Sequence, residues 1–198
     1  MKDDGDGGIF ISGGNISAGS LAIGRGARSV QQVAAPSVAP AVSIRRDVFL
    51  SYRRRDSKAY AGRLRDALKP CLQAPAQLFM DIDSIGGGVD FAKAIEAAVS
   101  SSAVVLVLIG PVWLTIADEQ GAPRLCLADD LVRREVRLAL EAERTVIPVL
   151  VDGARMPTVN QLPPPLSDLA GRNAVELSDT RWDYDVQRLL ASIAEAGS

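Results

Sequence analysis

The 198-residue chain contains no histidine, and this absence excludes several kinds of active site at once. Ser-His-Asp and Cys-His nucleophile systems, histidine metal sites and acid–base catalysis by an imidazole all need the missing side chain. The two cysteines, Cys71 and Cys126, are far apart and lack a CxxC partner, so we expect free thiols and no metal site. An enzyme of this composition would work through carboxylates, hydroxyls, arginines and backbone amides.

The chain also lacks a strong charge imbalance and a long hydrophobic run. With 22 basic and 24 acidic residues the net charge is −2, so we expect neither nucleic acid nor an anionic membrane as the main partner. The longest apolar runs, 103–109 and 146–151, are as long as core strands and far too short to span a bilayer. The first residues, MKDDGDGG, are acidic and glycine-rich, unlike a signal peptide, so we expect a cytoplasmic protein.

Residues 1–43 differ in composition from the remainder and are predicted to form a separate N-terminal segment. They are rich in Gly, Ser and Ala and end in VAAPSVAPAV, which is typical of an extended linker. Within residues 9–30, apolar residues alternate with small or polar ones between Gly-rich turn signals. Two interpretations stay open: a disordered tail, or a short β-arch that stacks with its own copies or with an amyloid-like partner. The second resembles the Gly/Asn-rich, amyloid-type signalling segments of some bacterial immune proteins.

Residues 44–198 alternate between short apolar runs and amphipathic stretches. Strands are predicted at 47–52, 77–81, 103–109, 145–151 and 173–177, and helices at 57–71, after Asp90, at 128–143 and at 183–194. The run 103–109, AVVLVLI, is apolar throughout, as a strand buried on both faces of a parallel sheet should be. This pattern predicts an α/β fold with a doubly wound, five-stranded, flavodoxin-like sheet. Ligands in such folds bind beyond the carboxyl ends of the strands, at the switch point of the sheet.

The helix predicted at 128–143 carries an acidic residue that its apolar pattern does not explain. Asp129 and Asp130 can cap its start. One face is predicted to be apolar, formed by Leu131, Leu138, Ala139 and Ala142, with Val132 and Val136 beside it. Glu135 lies on that same side, one turn from Leu131. Because an unpaired carboxylate is costly to desolvate, Glu135 either reaches solvent beside a neighbouring arginine or takes part in chemistry at the crevice.

Motifs separate three families that share this architecture. A phosphoacceptor receiver needs an aspartate at the end of its third strand, but here that strand ends in Ile109-Gly110. A flavodoxin needs a Ser/Thr/Gly-rich phosphate loop after its first strand, where this chain has RRRD at 53–56. The third family fits, because four segments in order resemble a bacterial-type Toll/interleukin-1 receptor (TIR) domain. These are DVFLSYRRRDS at 47–57, the segment 78–114, DDLVRREVRLALE at 129–141 and VIPVLVDG at 146–153.

The TIR resemblance implies that Glu135 occupies the family's catalytic glutamate position. TIR domains with this glutamate cleave the nicotinamide–ribose bond of NAD⁺, which is their substrate and not a cofactor, and release nicotinamide with ADP-ribose or a cyclised relative. This chemistry suits a chain without histidine, because the pyridinium leaving group departs neutral and needs no general acid. A carboxylate near the ribose can stabilise the oxocarbenium-like transition state electrostatically.

The resemblance also marks residues that would surround the substrate. Arg53 matches the family's first-box arginine and could hold ribose or pyrophosphate, or it could be a solvated member of an arginine run. Trp113 could stack on a base, or it could anchor its loop against the domain. The predicted substrate-binding residues are Tyr52, Arg53, Asp83, Ser84, Gly110 and Trp113.

The segment 83–88 corresponds to the family's BB loop, which in assembled TIR domains contacts the neighbouring subunit and closes the site. The predicted assembly loop is Ile85, Gly86, Gly87 and Gly88. Its glycines stand where relatives usually carry a Pro-Gly pair, and Leu131 stands where many carry a tryptophan.

The resemblance as a whole implies an NAD⁺-cleaving TIR enzyme of bacterial immune signalling, activated when TIR domains form an oligomer or filament. The alternatives are a non-catalytic adaptor that acts by homotypic TIR–TIR docking and, less favoured, an enzyme that cleaves another N-glycosidic bond.

Overall fold

The computed structural model describes residues 42–80 and 91–196. In these ranges five strands form one parallel sheet with the order β2-β1-β3-β4-β5. The strands are β1 (Val48–Ser51), β2 (Leu78–Met80), β3 (Val104–Ile109), β4 (Thr145–Val151) and β5 (Val175–Leu177). The α-helices are α1 (Arg54–Leu68), α2 (Phe91–Ser101), α3 (Leu131–Glu141) and α4 (Trp182–Glu195). The predicted doubly wound, five-stranded α/β fold is confirmed.

Helices cover both faces of the sheet, and β3 shows this most clearly. Its alternate residues Val104, Leu106 and Leu108 belong to a core shared with α1 and α4. The intervening residues, Val105, Val107 and Ile109, belong to a second core shared with α2 and α3. No residue of β3 is more than 1% exposed. The unbroken apolar run in the sequence follows from this double burial.

The sheet changes its winding direction at β1. The chain runs from β1 outward to β2 and then returns to the other side of β1 to form β3, where Ser51 lies opposite Val107. The loops that follow β1 and β3 therefore leave the same edge of the sheet in opposite directions. This is the switch point at which doubly wound domains form their ligand crevice.

The α3 helix buries a row that is shifted from the centre of the predicted apolar face toward the two valines predicted beside it. Its buried residues are Val132, Val136 and Ala139. Leu131 and Leu138 are only half-buried, and Ala142 is exposed. The two rows are neighbours on a helix of 3.6 residues per turn. The core takes the purely apolar row because the other row contains Glu135, whose carboxylate would be costly to bury.

The first helix also begins earlier than predicted. It starts at Arg54 and not at Ser57, which has the non-helical angles φ −130° and ψ 19°. The Ser57 amide donates to the Arg53 carbonyl at 2.8 Å, so the arginine run forms a first turn before this break. Charged residues show no apolar periodicity, and the sequence pattern therefore could not include them in the helix.

The predicted boundary between residues 43 and 44 stays a prediction, because residues 1–41 lie outside the described ranges. Near the start of the described ranges, Ile44 is buried and its amide donates to the Cys71 carbonyl at 2.8 Å. Within residues 42–80 and 91–196, no helix combines the length and apolar character needed to cross a bilayer.

Candidate functional site

Glu135 lies at the switch-point edge of the sheet. It is half-buried in the second turn of α3, and its Oε2 accepts a hydrogen bond from Ser51 Oγ at 2.6 Å. Ser51 is the last residue of β1 and is 1% exposed. A buried hydroxyl therefore holds the orientation of a carboxylate that is far away in sequence. The predicted site did not include Ser51, because a serine at a strand end carries no signal of a partner in a distant helix.

Arg53 is buried and forms a bidentate ion pair with Asp130. Its Nη1 donates to Oδ2 at 2.9 Å and its Nη2 to Oδ1 at 2.8 Å. Arg53 is 6% exposed and Asp130 is 2% exposed. The guanidinium is thus not the solvated group considered from the sequence: each of its two terminal nitrogens donates one hydrogen bond to Asp130, and its buried Nε has no hydrogen-bond partner among the described residues. The planar fork of the arginine matches the carboxylate and ties the loop after β1 to the start of α3.

Asp130 is also the N-cap of α3, as the sequence predicted for this position. Its Oδ1 accepts from the Arg133 amide at 2.9 Å, and its Oδ2 accepts a further bond from Arg124 Nε at 3.1 Å. One carboxylate therefore satisfies a free amide of the helix end and binds two arginines. The sequence could reveal the cap, but it held no sign of the pairing with Arg53.

Gly110 lies directly against Asp56, a residue absent from the predicted site. The Asp56 carboxylate accepts hydrogen bonds from the Gly110 amide at 2.9 Å and from the Val112 amide at 3.0 Å. A Cβ atom at position 110 would lie 2.5 Å from Asp56 Oδ2. Glycine is required here by the close approach of a carboxylate to the backbone. The loop after β3 is thereby fixed to α1 at the edge of the crevice.

The two predicted aromatic contacts differ in exposure. Tyr52, next to Ser51, is half-buried and packs on the core below α1 and α4. Trp113 is 1% exposed and belongs to the core on the α2 and α3 side. The structure thus places the Trp113 indole as a loop anchor, with no face open for stacking on a base.

An open cleft of about 910 Å³ lies at the same edge, between the loop after β3 and the start of α3. Charged residues on its wall include Arg55, Asp118, Glu119, Arg124 and Asp129. The wall of the cleft thus carries both signs of charge. Asp130, the ion-pair partner of Arg53, also lines this cleft.

The remaining predicted residues fall in the segment 81–90, outside the described ranges. These are the predicted substrate contacts Asp83 and Ser84 and the predicted assembly-loop residues Ile85, Gly86, Gly87 and Gly88. The predicted helix cap Asp90 and the segment 9–30, for which self-association was one of two interpretations, also lie outside them. Among the described residues, a hydrogen bond joins Ser51 to Glu135. Tyr52 follows Ser51 in the loop after β1 but packs on the core of α1 and α4, and Gly110 begins the loop after β3, where it contacts Asp56.

The fold and the site define a doubly wound α/β domain whose switch-point edge holds a hydrogen-bonded glutamate. The TIR domain family model matches residues 48–190, which is most of the chain. The chain belongs to the TIR domain family, as the resemblance of its motifs predicted.

Solved structures agree with this assignment at the level of the fold. The TIR domains of the activated Roq1 resistosome, which directly recognises the pathogen effector XopQ, are 19% identical with a TM-score of 0.55; the match covers 75% of this chain and 99% of that chain. A prokaryotic SEFIR domain is 16% identical with a TM-score of 0.51, covering 75% of this chain and 98% of that one. No curated protein matches the chain in sequence.

Proposed function

We propose that this TIR domain cleaves the bond between nicotinamide and ribose in NAD⁺, with Glu135 as the catalytic residue. The observation that carries the proposal is the 2.6 Å hydrogen bond from Ser51 Oγ to Glu135 Oε2 at the switch-point edge of the sheet. Doubly wound domains bind ligands at this edge. Packing of the helix does not explain why a carboxylate is held at this edge by a buried hydroxyl, whereas a role in catalysis does.

In the proposed reaction the bond between C1′ and the pyridinium nitrogen breaks, and its electron pair goes to the ring nitrogen. Nicotinamide leaves as a neutral molecule, so no proton donor is required. Positive charge develops on the ribose, and the Glu135 carboxylate stabilises it electrostatically. A water molecule, or a nucleophilic atom of the same dinucleotide, then bonds to C1′ and loses a proton, which gives ADP-ribose or a cyclic isomer.

The proposed substrate contacts divide according to their burial. Tyr52, the backbone at Gly110, Asp83 and Ser84 are proposed to surround the substrate beside Glu135. Arg53 and Trp113 are buried, so contact with the substrate would require their loops to open. NAD⁺ is the substrate in this proposal, and the reaction needs no further cofactor.

We further propose that activity requires assembly with other TIR domains, in bacterial immune signalling in the cytoplasm. The support is family membership, since the loop corresponding to Ile85–Gly88 contacts a neighbouring subunit in assembled TIR domains. The similar TIR domains of the Roq1 resistosome also come from an activated assembly. A partner bound through residues 9–30 would provide one way to start such assembly.

The alternative is a TIR adaptor that docks on other TIR domains and has no catalytic activity. Docking alone gives no reason for a half-buried glutamate that accepts a hydrogen bond from a buried serine. Cleavage of another N-glycosidic bond, in a nucleoside or nucleotide, is the second enzymatic candidate. It would leave NAD⁺ intact while nucleosides are consumed.

The test is NAD⁺ consumption by the concentrated full chain, wild type beside Glu135→Gln. The glutamine keeps the size of the side chain but removes the charge, and we expect turnover to fall by about 10²–10³-fold. Glu141→Gln is the matched control, because Glu141 lies on the same helix, is exposed and pairs with Arg137 Nη1 at 2.6 Å. It should keep wild-type activity.

Each result assigns the protein to one class. Loss of turnover in Glu135→Gln alone supports the enzyme and its catalytic residue. Wild-type turnover in both variants would reject Glu135 as the catalytic residue. If the wild type leaves both NAD⁺ and nucleosides intact even when it is assembled, both enzymatic candidates are rejected and the non-catalytic adaptor is supported.

A further inference from the structure

Two side-chain links join the same two segments of the site. Ser51 at the end of β1 donates to Glu135 at 2.6 Å. Two residues further along the chain, Arg53 forms its bidentate pair with Asp130 at 2.8 and 2.9 Å. Asp130 and Glu135 are five residues apart, so about 7.5 Å of helix separates the two links. The strand end and the helix are therefore held at two points.

We propose that Arg53 and Asp130 are positioning residues, which hold α3 in the register that brings the Glu135 carboxylate to Ser51. The inference rests on the proposed function of Glu135, and it gives Arg53 a role that does not include contact with the substrate. Asp130 acts through the helix that it caps, and Arg53 acts through Asp130.

The geometry of Asp130 supports this role because its carboxylate is bound from several directions. Oδ1 accepts from Arg53 Nη2 and from the Arg133 amide, which belongs to the first turn of α3. Oδ2 accepts from Arg53 Nη1 and from Arg124 Nε. A carboxylate bonded in this way to the helix and to the loop after β1 allows only one orientation of the helix start relative to the strand end.

Burial distinguishes this pair from an ordinary surface ion pair. The side chains of Arg53 and Asp130 are 5% and 1% exposed, whereas that of Arg124 is 43% exposed. A buried ion pair is weak evidence for stability, since apolar residues of similar size often stabilise a fold equally well or better. Its bidentate geometry is specific, and a small displacement of a catalytic group can reduce a rate by about 10²-fold. Arg137 provides the matched control, because it forms a solvent-exposed ion pair with Glu141 on the same helix, away from Asp130.

The experiment compares four forms of the full chain: wild type, Asp130→Asn, the double variant Arg53→Met with Asp130→Asn, and Arg137→Gln. Asparagine keeps the N-cap but cannot pair with the arginine as an anion. The double variant removes both charges, so it contains no unpaired buried arginine. For each form, kcat and KM for NAD⁺, the Tm, and the distance between Ser51 Oγ and the Glu135 carboxylate in a crystal structure are measured.

We expect kcat to fall by about 100-fold in Asp130→Asn and in the double variant, with KM little changed and the contact between Ser51 and Glu135 broken. The double variant should recover Tm without recovering kcat, whereas Arg137→Gln should keep both. A kcat that recovers together with Tm would overturn the positioning role. An intact Ser51–Glu135 contact in the folded double variant would also overturn it.

The two proposals can fail separately. If the wild type does not consume NAD⁺, the proposed function fails, and the crystal structures alone then decide the positioning role. A broken contact in the folded double variant supports that role, and an unchanged contact rejects it. If the wild type is active, the kinetic and structural results must agree for the inference to stand.

Discussion

Ser51 occupies a position where a hydroxyl group needs a partner. It ends a strand whose other residues are apolar and buried, and it is itself 1% exposed. Its donor goes to the Glu135 carboxylate at 2.6 Å. Since a hydrogen bond to a charged group is stronger than one between neutral groups, this contact contributes to the orientation of the proposed catalytic carboxylate.

Replacement of this hydroxyl tests its contribution to the reaction. A hydrogen bond to a charged group is worth about 1.5–3 kcal/mol, so we expect Ser51→Ala to lower kcat for NAD⁺ by about 10- to 100-fold while the chain stays folded. Steady-state kinetics with a thermal melt would measure both quantities. Ser102→Ala is the control, because Ser102 is equally buried but bonds to the Ala98 carbonyl at the opposite edge of the sheet. Equal kcat values in the two variants would contradict the prediction.

Gly110 illustrates a second requirement at the residue scale, since Asp56 leaves no room for a side chain there. In Gly110→Ala the new methyl group would displace the Asp56 carboxylate from two backbone amides. We expect the free energy of unfolding to fall by about 1–3 kcal/mol, measured by urea denaturation.

Gly62 is the matched control for that substitution. It lies inside α1, and a Cβ atom there would meet nothing within 4 Å. Alanine is the better helix former, so Gly62→Ala should raise the free energy of unfolding by about 0.5–1 kcal/mol. A Gly110→Ala protein as stable as wild type would show that Asp56 can move without cost.

At the scale of elements, α1 and the start of α4 are joined by a cluster of aromatic and charged side chains. Tyr60 Oη donates to Asp179 Oδ2 at 2.8 Å, and Arg63 Nη1 donates to Asp179 Oδ1 at 2.7 Å. The Arg63 guanidinium also lies 3.8 Å from the centre of the Trp182 ring. The hydrogen bond to Asp179, followed by burial and the negative charges of Asp152 and Asp179, raises the pKa of Tyr60 to about 12, although Arg63 opposes the shift.

This raised pKa predicts a loss of stability in alkaline solution. The unfolded chain releases the tyrosine proton near its ordinary pKa of about 10, whereas the folded chain keeps it to about 12. The contribution of Tyr60 is therefore complete below about pH 10 and is lost as the pH rises from about 10 to about 12.

The variant Tyr60→Phe lacks this titration and should lose less stability than wild type over the same pH interval, although it starts from a lower value. Urea denaturation at a series of pH values measures the difference. Tyr184→Phe, which changes a 62% exposed tyrosine of α4, should follow the wild-type profile. Parallel profiles for wild type and Tyr60→Phe would contradict the prediction.

At the scale of the whole molecule, the proposed activity depends on how many copies come together. NAD⁺ turnover per copy should therefore rise with protein concentration. If residues 9–30 promote self-association, the full chain should reach high activity at a lower concentration than a chain that begins at residue 40. That truncation keeps Ile44, which is buried against the core. Turnover measured beside light scattering tests the expectation, and activity per copy that is independent of concentration would reject it.

Most of the fold could be predicted because burial on both faces leaves a plain pattern in the sequence. β4 was predicted at 145–151 and lies there, and β3 was predicted only one residue longer than it is. The TIR family could also be predicted, because four motif segments occur in the family's order along the chain, and the family model confirms it. Less could be predicted for α1, because its start lies in an arginine run without apolar periodicity, and for α3, because the sequence did not show which of two neighbouring rows the core would bury.

The sequence by itself determined the class of fold and the family and singled out Glu135 as a carboxylate that its helix pattern does not explain, because apolar periodicity and motif order are local properties of the chain. Only the tertiary structure decided the partners of the site residues. The ends of β1 and α3 meet through the parallel sheet, and that meeting pairs Ser51 with Glu135 and Arg53 with Asp130. The pairs lie 84 and 77 residues apart. No local pattern encodes such a contact, since burial and the geometry of the folded backbone select each partner.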